Sequence, residues 1–202
     1  MAHYYDPHPE GEGRPGTAAI RIDGRDFSFD TAGGVFSSRR VDFGTVLLIE
    51  AAIAEIRRNG QGKGRLLDLG CGYGAVGIIL KRAFPAMDVV LSDVNERALR
   101  LAKSNAERNQ VSFARFVRSD AFEGLPETFD WILTNPPIRA GKAVVHRFFQ
   151  GAYEHLAPGG TLFVVIQKKQ GAPSASSFLE ETFGNCEPIE KSAGFRVLRC
   201  VR

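Results

Sequence analysis

Apolar and polar positions along the chain follow two periods. Between residues 42 and 58 apolar side chains recur at Val46, Leu47, Ile49, Ile53 and Ile56, a helical spacing, and Asn59-Gly60 supplies a stop. From residue 65 onward short apolar runs alternate with longer amphipathic stretches. Runs over 65–69, 88–92, 114–118, 129–134 and 161–167 predict strands, and 74–84, 95–109, 141–156 and 174–183 predict helices. That alternation predicts an α/β fold with a mostly parallel sheet covered on both faces. Two last runs, 186–191 and 195–201, surround Ala193-Gly194; they predict a closing hairpin and one antiparallel strand at the sheet edge, seven strands in all. Near the start, 18–22 and 27–29 flank Asp23-Gly24, a hairpin turn signal. Residues 1–16 carry Pro7, Pro9 and Pro15 and predict a loop or arm. The organisation expected is an N-terminal arm and β-hairpin extension over 1–40 and one globular α/β domain over 41–202.

Composition adds boundaries. The 202 residues, 44% hydrophobic and 24% charged, suit one soluble domain with a full core. No apolar run approaches the roughly 20 residues that span a bilayer, and residues 1–9 lack the apolar stretch of a secretory signal. Neither a membrane partner nor export is therefore expected. Three scattered cysteines, Cys71, Cys186 and Cys200, without CxxC spacing, argue against a disulfide framework or a metal site and fit a reducing cytoplasm. A net charge of +3 is compatible with a polyanionic partner without establishing one.

Chemistry enters at Asp68-Leu69-Gly70-Cys71-Gly72-Tyr73-Gly74, which reads as strand end, tight turn and helix start. Glycines let the backbone adopt positive φ and let a ligand approach closely. Such a turn at the carboxyl end of the first strand is where open α/β sheets bind ligands. Gly72 to Gly77 also matches GxGxxG, and Asp93 follows at the spacing of a dinucleotide site. Against a dehydrogenase stands Asp68. A carboxylate there repels a pyrophosphate but suits a cation, such as the sulfonium and ammonium of S-adenosylmethionine. Asp93 can accept both ribose hydroxyls or, alternatively, cap the helix that follows. Asp120 can accept from the adenine amine, with Ala121 beside the ring, or serve as a turn residue. Gly70, Cys71 and Gly72 supply the close backbone approach. Cys71 has no acid or base partner nearby and is not expected to be a nucleophile.

The second motif is Asn135-Pro136-Pro137-Ile138, directly after an apolar strand. Two prolines neither extend a ladder nor enter a helix, so they freeze a short loop. The Asn135 side-chain oxygen and the Pro136 carbonyl then form a fixed pair of acceptors for a planar –NH2 group. An exocyclic amine on a base is a poor nucleophile, and two acceptors favour the pyramidal nitrogen of the transition state. Asn135 thus serves both motifs, next to the cofactor and at the amine.

On these residues the chain resembles the class I S-adenosylmethionine-dependent methyltransferases, with their Rossmann-like fold. Within them it is similar to the single-domain relatives of the bacterial small-subunit (16S) ribosomal RNA guanine-N2 methyltransferases. The likeness spans His3-Tyr4-Tyr5, Gly34-Val35-Phe36-Ser37 with Asp42 and Gly44, the glycine turn, and Asn135 through Lys142. It implies S-adenosylmethionine as cofactor, S-adenosylhomocysteine as product, and ribosomal RNA or the small subunit as substrate. It also implies that larger members carry a second, degenerate domain, for which this chain has no length. Adenine-N6 and glutamine-N5 enzymes put an aromatic after the prolines; Ile138 departs from that and points to guanine in RNA. Phe36 then becomes the stacking candidate, or else a core aromatic. Other amine acceptors and a non-catalytic role in ribosome assembly are the competing readings.

A base in folded RNA must be unstacked to reach a buried methyl donor, and phosphates around the pocket need cations. Arg39 and Arg40, Arg139 and Lys142, and Lys168 and Lys169 are three pairs that the predicted topology brings to one rim. Each pair taken singly reads equally as solvated surface. The sequence does not define the oligomeric state, monomer or homodimer.

Overall fold

The computed structural model describes residues 16–32, 40–59, 62–112, 114–170 and 172–202. Strands β1 (Gly16–Ile22) and β2 (Arg25–Thr31) form an antiparallel hairpin. Its turn residues Asp23 and Gly24 both have positive φ, +52° and +72°, the two-residue geometry whose twist matches paired strands. Helix α1 (Phe43–Arg58) follows. Then come β3 (Gly64–Leu69), α2 (Ala75–Ala83), β4 (Met87–Asp93), α3 (Glu96–Arg108), β5 (Ala114–Arg118), β6 (Phe129–Thr134), α4 (Lys142–His155), β7 (Leu156–Gln167), α5 (Ala172–Phe183), β8 (Glu187–Ser192) and β9 (Phe195–Val201).

Seven of these strands form one sheet in the order β5-β4-β3-β6-β7-β9-β8. The first five of that order are parallel, and β9 runs antiparallel to β7 and β8. The expected antiparallel strand is therefore β9, lying between β7 and the edge strand β8. Strand β7 begins five residues earlier than the apolar spacing predicts, because Leu156 pairs with Phe129 beside an irregularity in the ladder.

Side chains of each central strand alternate between two cores. Leu66, Val89, Leu91 and Leu133 join the core with residues of α1, α2 and α3. Leu67, Val90, Ile132 and Val164 join the core with residues of α4 and α5. Period-2 alternation with apolar residues at both phases is what a two-sided parallel sheet requires. Strand order reverses between β3 and β6, so loops after these strands diverge and leave a crevice at their carboxyl ends. No helix among the described residues is long and apolar enough to cross a membrane.

The hairpin is a separate two-stranded sheet that shares the first core through Ala18, Ile22, Phe27 and Phe29. Two asparagines, Asn105 of α3 and Asn109 at its C-cap, replace the missing strand partner. Asn105 Oδ1 accepts from Asp30 N (2.7 Å) while its Nδ2 donates to Asp30 O and to Tyr73 O, both at 2.9 Å. Asn109 does the same for Ser28, at 3.0 and 2.8 Å. Four residues of helix rise about 6 Å and two of strand about 6.6 Å, so the i, i+4 amides meet every second strand residue. Replacing the buried Asn105 by alanine leaves one N–H and two carbonyls without partners. We expect Asn105→Ala to lower stability by about 3 kcal/mol in urea denaturation, from the cost of unsatisfied buried groups.

Candidate functional site

Two turns meet at the crevice. After β3, Gly70, Gly72 and Gly74 adopt φ of +71°, +55° and +92°, which glycine alone tolerates cheaply. Gly70 N and Cys71 N both donate to Ser92 O at 2.9 Å, fastening the turn to the end of β4. A Cβ on Gly74 would come within 3.2 Å of the Ala102 backbone, so the turn lies directly against α3. A Cβ on Gly72 would meet nothing within 4 Å, so this backbone faces open space.

Two carboxylates bracket the turn. Asp68 is 2% exposed, and its Oδ2 accepts from Gly77 N at 2.8 Å in the first turns of α2. Burial pushes its carboxyl up to about 7; the Gly77 N–H opposes this and Asp93 adds to it. Asp93 Oδ2 accepts from Gly72 N and its Oδ1 from Asn95 N, both at 2.9 Å. Burial raises its carboxyl too, against the pull of the N–H groups of Asn95, Gly72 and Val94. The cap of α3 is Asn95 itself, which accepts from Arg97 N and Ala98 N, so Asp93 is not the N-cap residue. Cys71 is buried, and burial lifts its thiol well above the ordinary range; it is no nucleophile at neutral pH.

After β6, Thr134 Oγ1 donates to Leu69 O at 2.9 Å and sets the register between the two strand ends. Asn135 Nδ2 donates to Thr45 Oγ1 (3.0 Å) and to Asp42 Oδ2 (3.4 Å). A carboxylate only accepts, so the atom facing Asp42 is the amide nitrogen. Asn135 Oδ1 is thereby turned the other way. Asp42 also caps α1, accepting from Thr45 N at 3.2 Å. Asn135 lines both small hollows of the crevice, about 40 and 20 Å³. One holds Asp68, Gly72, Tyr73 and Thr45; the other holds Asp93, Ser119, Ala121 and Phe148. A groove of about 830 Å³ lies between the hairpin and the carboxyl ends of α2 and α3 and holds none of these motif residues.

The remaining sequence candidates are placed as follows. Pro136 O accepts from Ile138 N at 2.8 Å, with Pro137 at φ −75°, ψ 74°. One lone pair of the expected second acceptor is thus engaged within the loop, and one is left. Ile138 packs against the core of α4 and α5. Asp120 pairs with Arg147 of α4 at 3.2 Å and does not line either hollow, whereas its neighbours Ser119 and Ala121 do. Arg139, Lys142 and Lys168 are exposed. Phe36 and Arg39 lie outside the described residues. His146 and His155 stack on Phe178 and Phe122, at centroid distances of 3.8 and 4.5 Å. Sequence reasoning named Asp42 only within the resemblance and passed over Thr45, so their shared hold on Asn135 was missed, although D-x-x-T before an apolar run is itself a helix-start signal.

A seven-stranded sheet with an antiparallel β9 and a glycine turn at its switch point is the class I methyltransferase fold. The family model for the methyltransferase small domain matches residues 26–199, and the chain belongs to that family. It is 42% identical over 199 residues to the uncharacterised protein YbxB of Bacillus subtilis, covering 98% of this chain and 96% of that one. It is 34% identical to ribosomal RNA small subunit methyltransferase C of Hamiltonella defensa, over 86% of this chain and 50% of that one. Among solved structures, the T. thermophilus 16S rRNA N2 G1207 methyltransferase (RsmC), in complex with AdoMet and guanosine, superposes with a TM-score of 0.80 at 30% identity; the match covers 97% of this chain and 52% of that one. The chain spans about half the length of these RNA methyltransferases.

Asp68 has a consequence for stability. Its folded-state value, about 7, lies above its ordinary value of 3.8. Its contribution is therefore fully present below pH 3.8 and is lost as pH rises through 7. We expect the folding equilibrium of the unliganded protein, relative to Asp68→Asn, to fall with a slope approaching tenfold per pH unit between about 4 and 7. Urea titrations at several pH values check this.

Proposed function

We propose that this protein transfers a methyl group from S-adenosylmethionine to the exocyclic N2 amine of guanine in small-subunit ribosomal RNA, acting in the cytoplasm. The observation that carries the reading is Asn135, whose amide nitrogen is held by Thr45 and Asp42 so that its oxygen is free to accept from an amine. The same residue borders both hollows around the glycine turn. Further support comes from the T. thermophilus relative, solved with AdoMet and guanosine. On this reading residues 1–40 are an extension serving the domain formed by 41–202.

The residues fit the cofactor chemically. Asp68 and Asp93 present carboxylates, not cations, to the glycine turn, and they occupy the Gly77 and Gly72 N–H groups that a pyrophosphate would seek. Each Asp93 oxygen keeps a lone pair for a ribose hydroxyl. Ala121 walls the adenine side, with Asp120 at its edge beside Arg147. The bound cofactor supplies an electrophilic methyl on a cationic sulfur, which leaves as a neutral thioether. Asn135 Oδ1 and the remaining lone pair of Pro136 O bind the two amine protons, and Pro137 keeps that carbonyl fixed. Held this way, the amine would keep its lone pair free for the methyl that the cofactor would supply. The proton of the amine, more acidic once nitrogen is alkylated, would pass to water. Preorganised dipoles and alignment carry the rate, and no general base is needed. Arg139, Lys142 and Lys168 are exposed cations for phosphates, and Ile138 braces the loop from below.

Tritiated S-adenosylmethionine with small subunits, free RNA, DNA and release-factor protein tests the whole reading. We expect label in RNA and N2-methylguanosine in its nucleoside digest; label confined to DNA or protein sinks it. Asn135→Ala should lower the rate by about 10²-fold or more, comparable to losing one oxyanion-hole donor. Thr45→Val, which removes one hold on the amide, should cost about tenfold.

A pH dependence also follows. Only ionised Asp68 favours a cation, and its carboxyl titrates at about 7 before the cofactor arrives. Affinity for S-adenosylmethionine should be flat above pH 7 and fall toward tenfold per unit below it. Asp68→Asn should abolish that slope. Calorimetry in buffers of different ionisation enthalpy reads the proton released on binding.

A further inference from the structure

We propose that Phe43, backed by Phe195, is the face on which the substrate base stacks when Asn135 holds its amine. The proposal rests on the function proposed above and identifies how its base is gripped. Phe43 is the exposed large hydrophobic residue among the described residues, with 45% of its surface open. An exposed phenyl ring offers an apolar face to a planar ligand, and this one stands at the helix start that holds Asn135.

The ring is supported. Phe195 lies against it at a centroid distance of 5.8 Å and an interplanar angle of 50°. A Cβ on Gly44 would come 2.8 Å from the Phe195 ring, so glycine at 44 is what lets Phe195 pack against the helix start. The pair is therefore held from behind while one ring stays open.

Its place is fixed by the residues around it. Phe43 opens α1 between Asp42 and Thr45, and both of these hold Asn135 Nδ2. Phe195 pairs with Gln167 at the end of β7, the strand next to β6. The cofactor loops follow β3, β4 and β5, on the other side of β6. A base that brings its amine to Asn135 from the side away from the cofactor thus passes Phe43, with Lys168 next in chain to Gln167 for its phosphate. The loop after Asn135 offers no aromatic face of its own, since Ile138 is turned into the α4 and α5 core. An aromatic ring suits a base because every base has a π-face, and a guanine at that position adds its amine edge for Asn135.

The test compares Phe43→Ala, Phe43→Leu and Phe43→Trp in steady-state methylation of small-subunit RNA. Phe43→Ala should lower kcat/KM by about 10- to 100-fold, chiefly through KM. Phe43→Trp should restore it and Phe43→Leu should not. S-adenosylhomocysteine affinity by calorimetry and the thermal midpoint should stay at wild-type values in all three, which excludes misfolding as the cause. Wild-type activity in Phe43→Leu, or a loss under twofold in Phe43→Ala, overturns the proposal. A separate readout covers failure of the functional reading. Indole fluorescence of Phe43→Trp, over the constant background of buried Trp131, should be quenched by guanosine monophosphate. If the wild-type protein methylates no RNA, quenching keeps the base site while the reaction falls, and absence of quenching removes both.

Discussion

The site depends on a carboxylate that the fold buries at the end of its first core strand. Asp68 is almost without solvent, and a buried charge is costly unless it is hydrogen-bonded or neutralised. Here one backbone N–H, from Gly77, reaches it at 2.8 Å. That contact exists because residue 77 is glycine: a Cβ there would come within 2.8 Å of Leu91 and 3.2 Å of the Asp68 carboxylate. Helix α2 can therefore lie close to β3 and β4, and the turn from Gly70 to Gly74 is drawn taut between them. One N–H is too little to hold a full negative charge, which is why the carboxyl titrates near 7. The site is poised for a cationic group to complete it.

The second set of constraints propagates outward from the turn. Tyr73 O is held by Asn105, whose same amide group pairs with Asp30 of the hairpin. Tyr73 also packs against Phe29 of β2, with ring centroids 5.6 Å apart. The hairpin thus braces the glycine turn through α3, even though it belongs to a different sheet. On the other side, Asn135 joins β6 to α1, and buried Glu55 of the same helix pairs with Arg199 of β9. Helix α1 is fixed at its start by the reactive loop and further along by the antiparallel strand.

Elements with local causes were legible in the sequence. Asp23-Gly24 and Ala193-Gly194 mark turns because both residues of each adopt positive φ, and the alternating apolar runs marked the sheet because each strand faces two cores. Asp68, Gly72 and Asp93 come together because β3 and β4 pair in parallel, which the strand-helix alternation implies. What stayed hidden were contacts across long separations in the chain. Asn135 to Thr45 spans 90 residues and Asn105 to Asp30 spans 75, and no local pattern records either. Asp120 shows the converse: its position after a strand was readable, but its partner Arg147 belongs to a helix on another connection. The loop carbonyl of Pro136 was read as an acceptor for the amine; its bond from Ile138 N was not legible, because that short turn depends on backbone angles, not residue type.

In this chain the loop after Asn135 presents no aromatic face of its own. Thr134 locks the end of β6 to Leu69, and the turn through Pro137 sends residue 138 back into the core of α4 and α5. A larger ring at 138 in the same orientation would have to displace that packing. The neighbouring helix start is under no such limit. Phe43 sits one residue past the cap, where the side chain leaves the helix freely, and Gly44 beside it makes room for a supporting ring from β9. In the proposed reaction, loop and helix start would divide the work: the loop would orient hydrogen-bond acceptors, and the helix start, tied to it through Asp42 and Thr45, would offer the flat apolar surface.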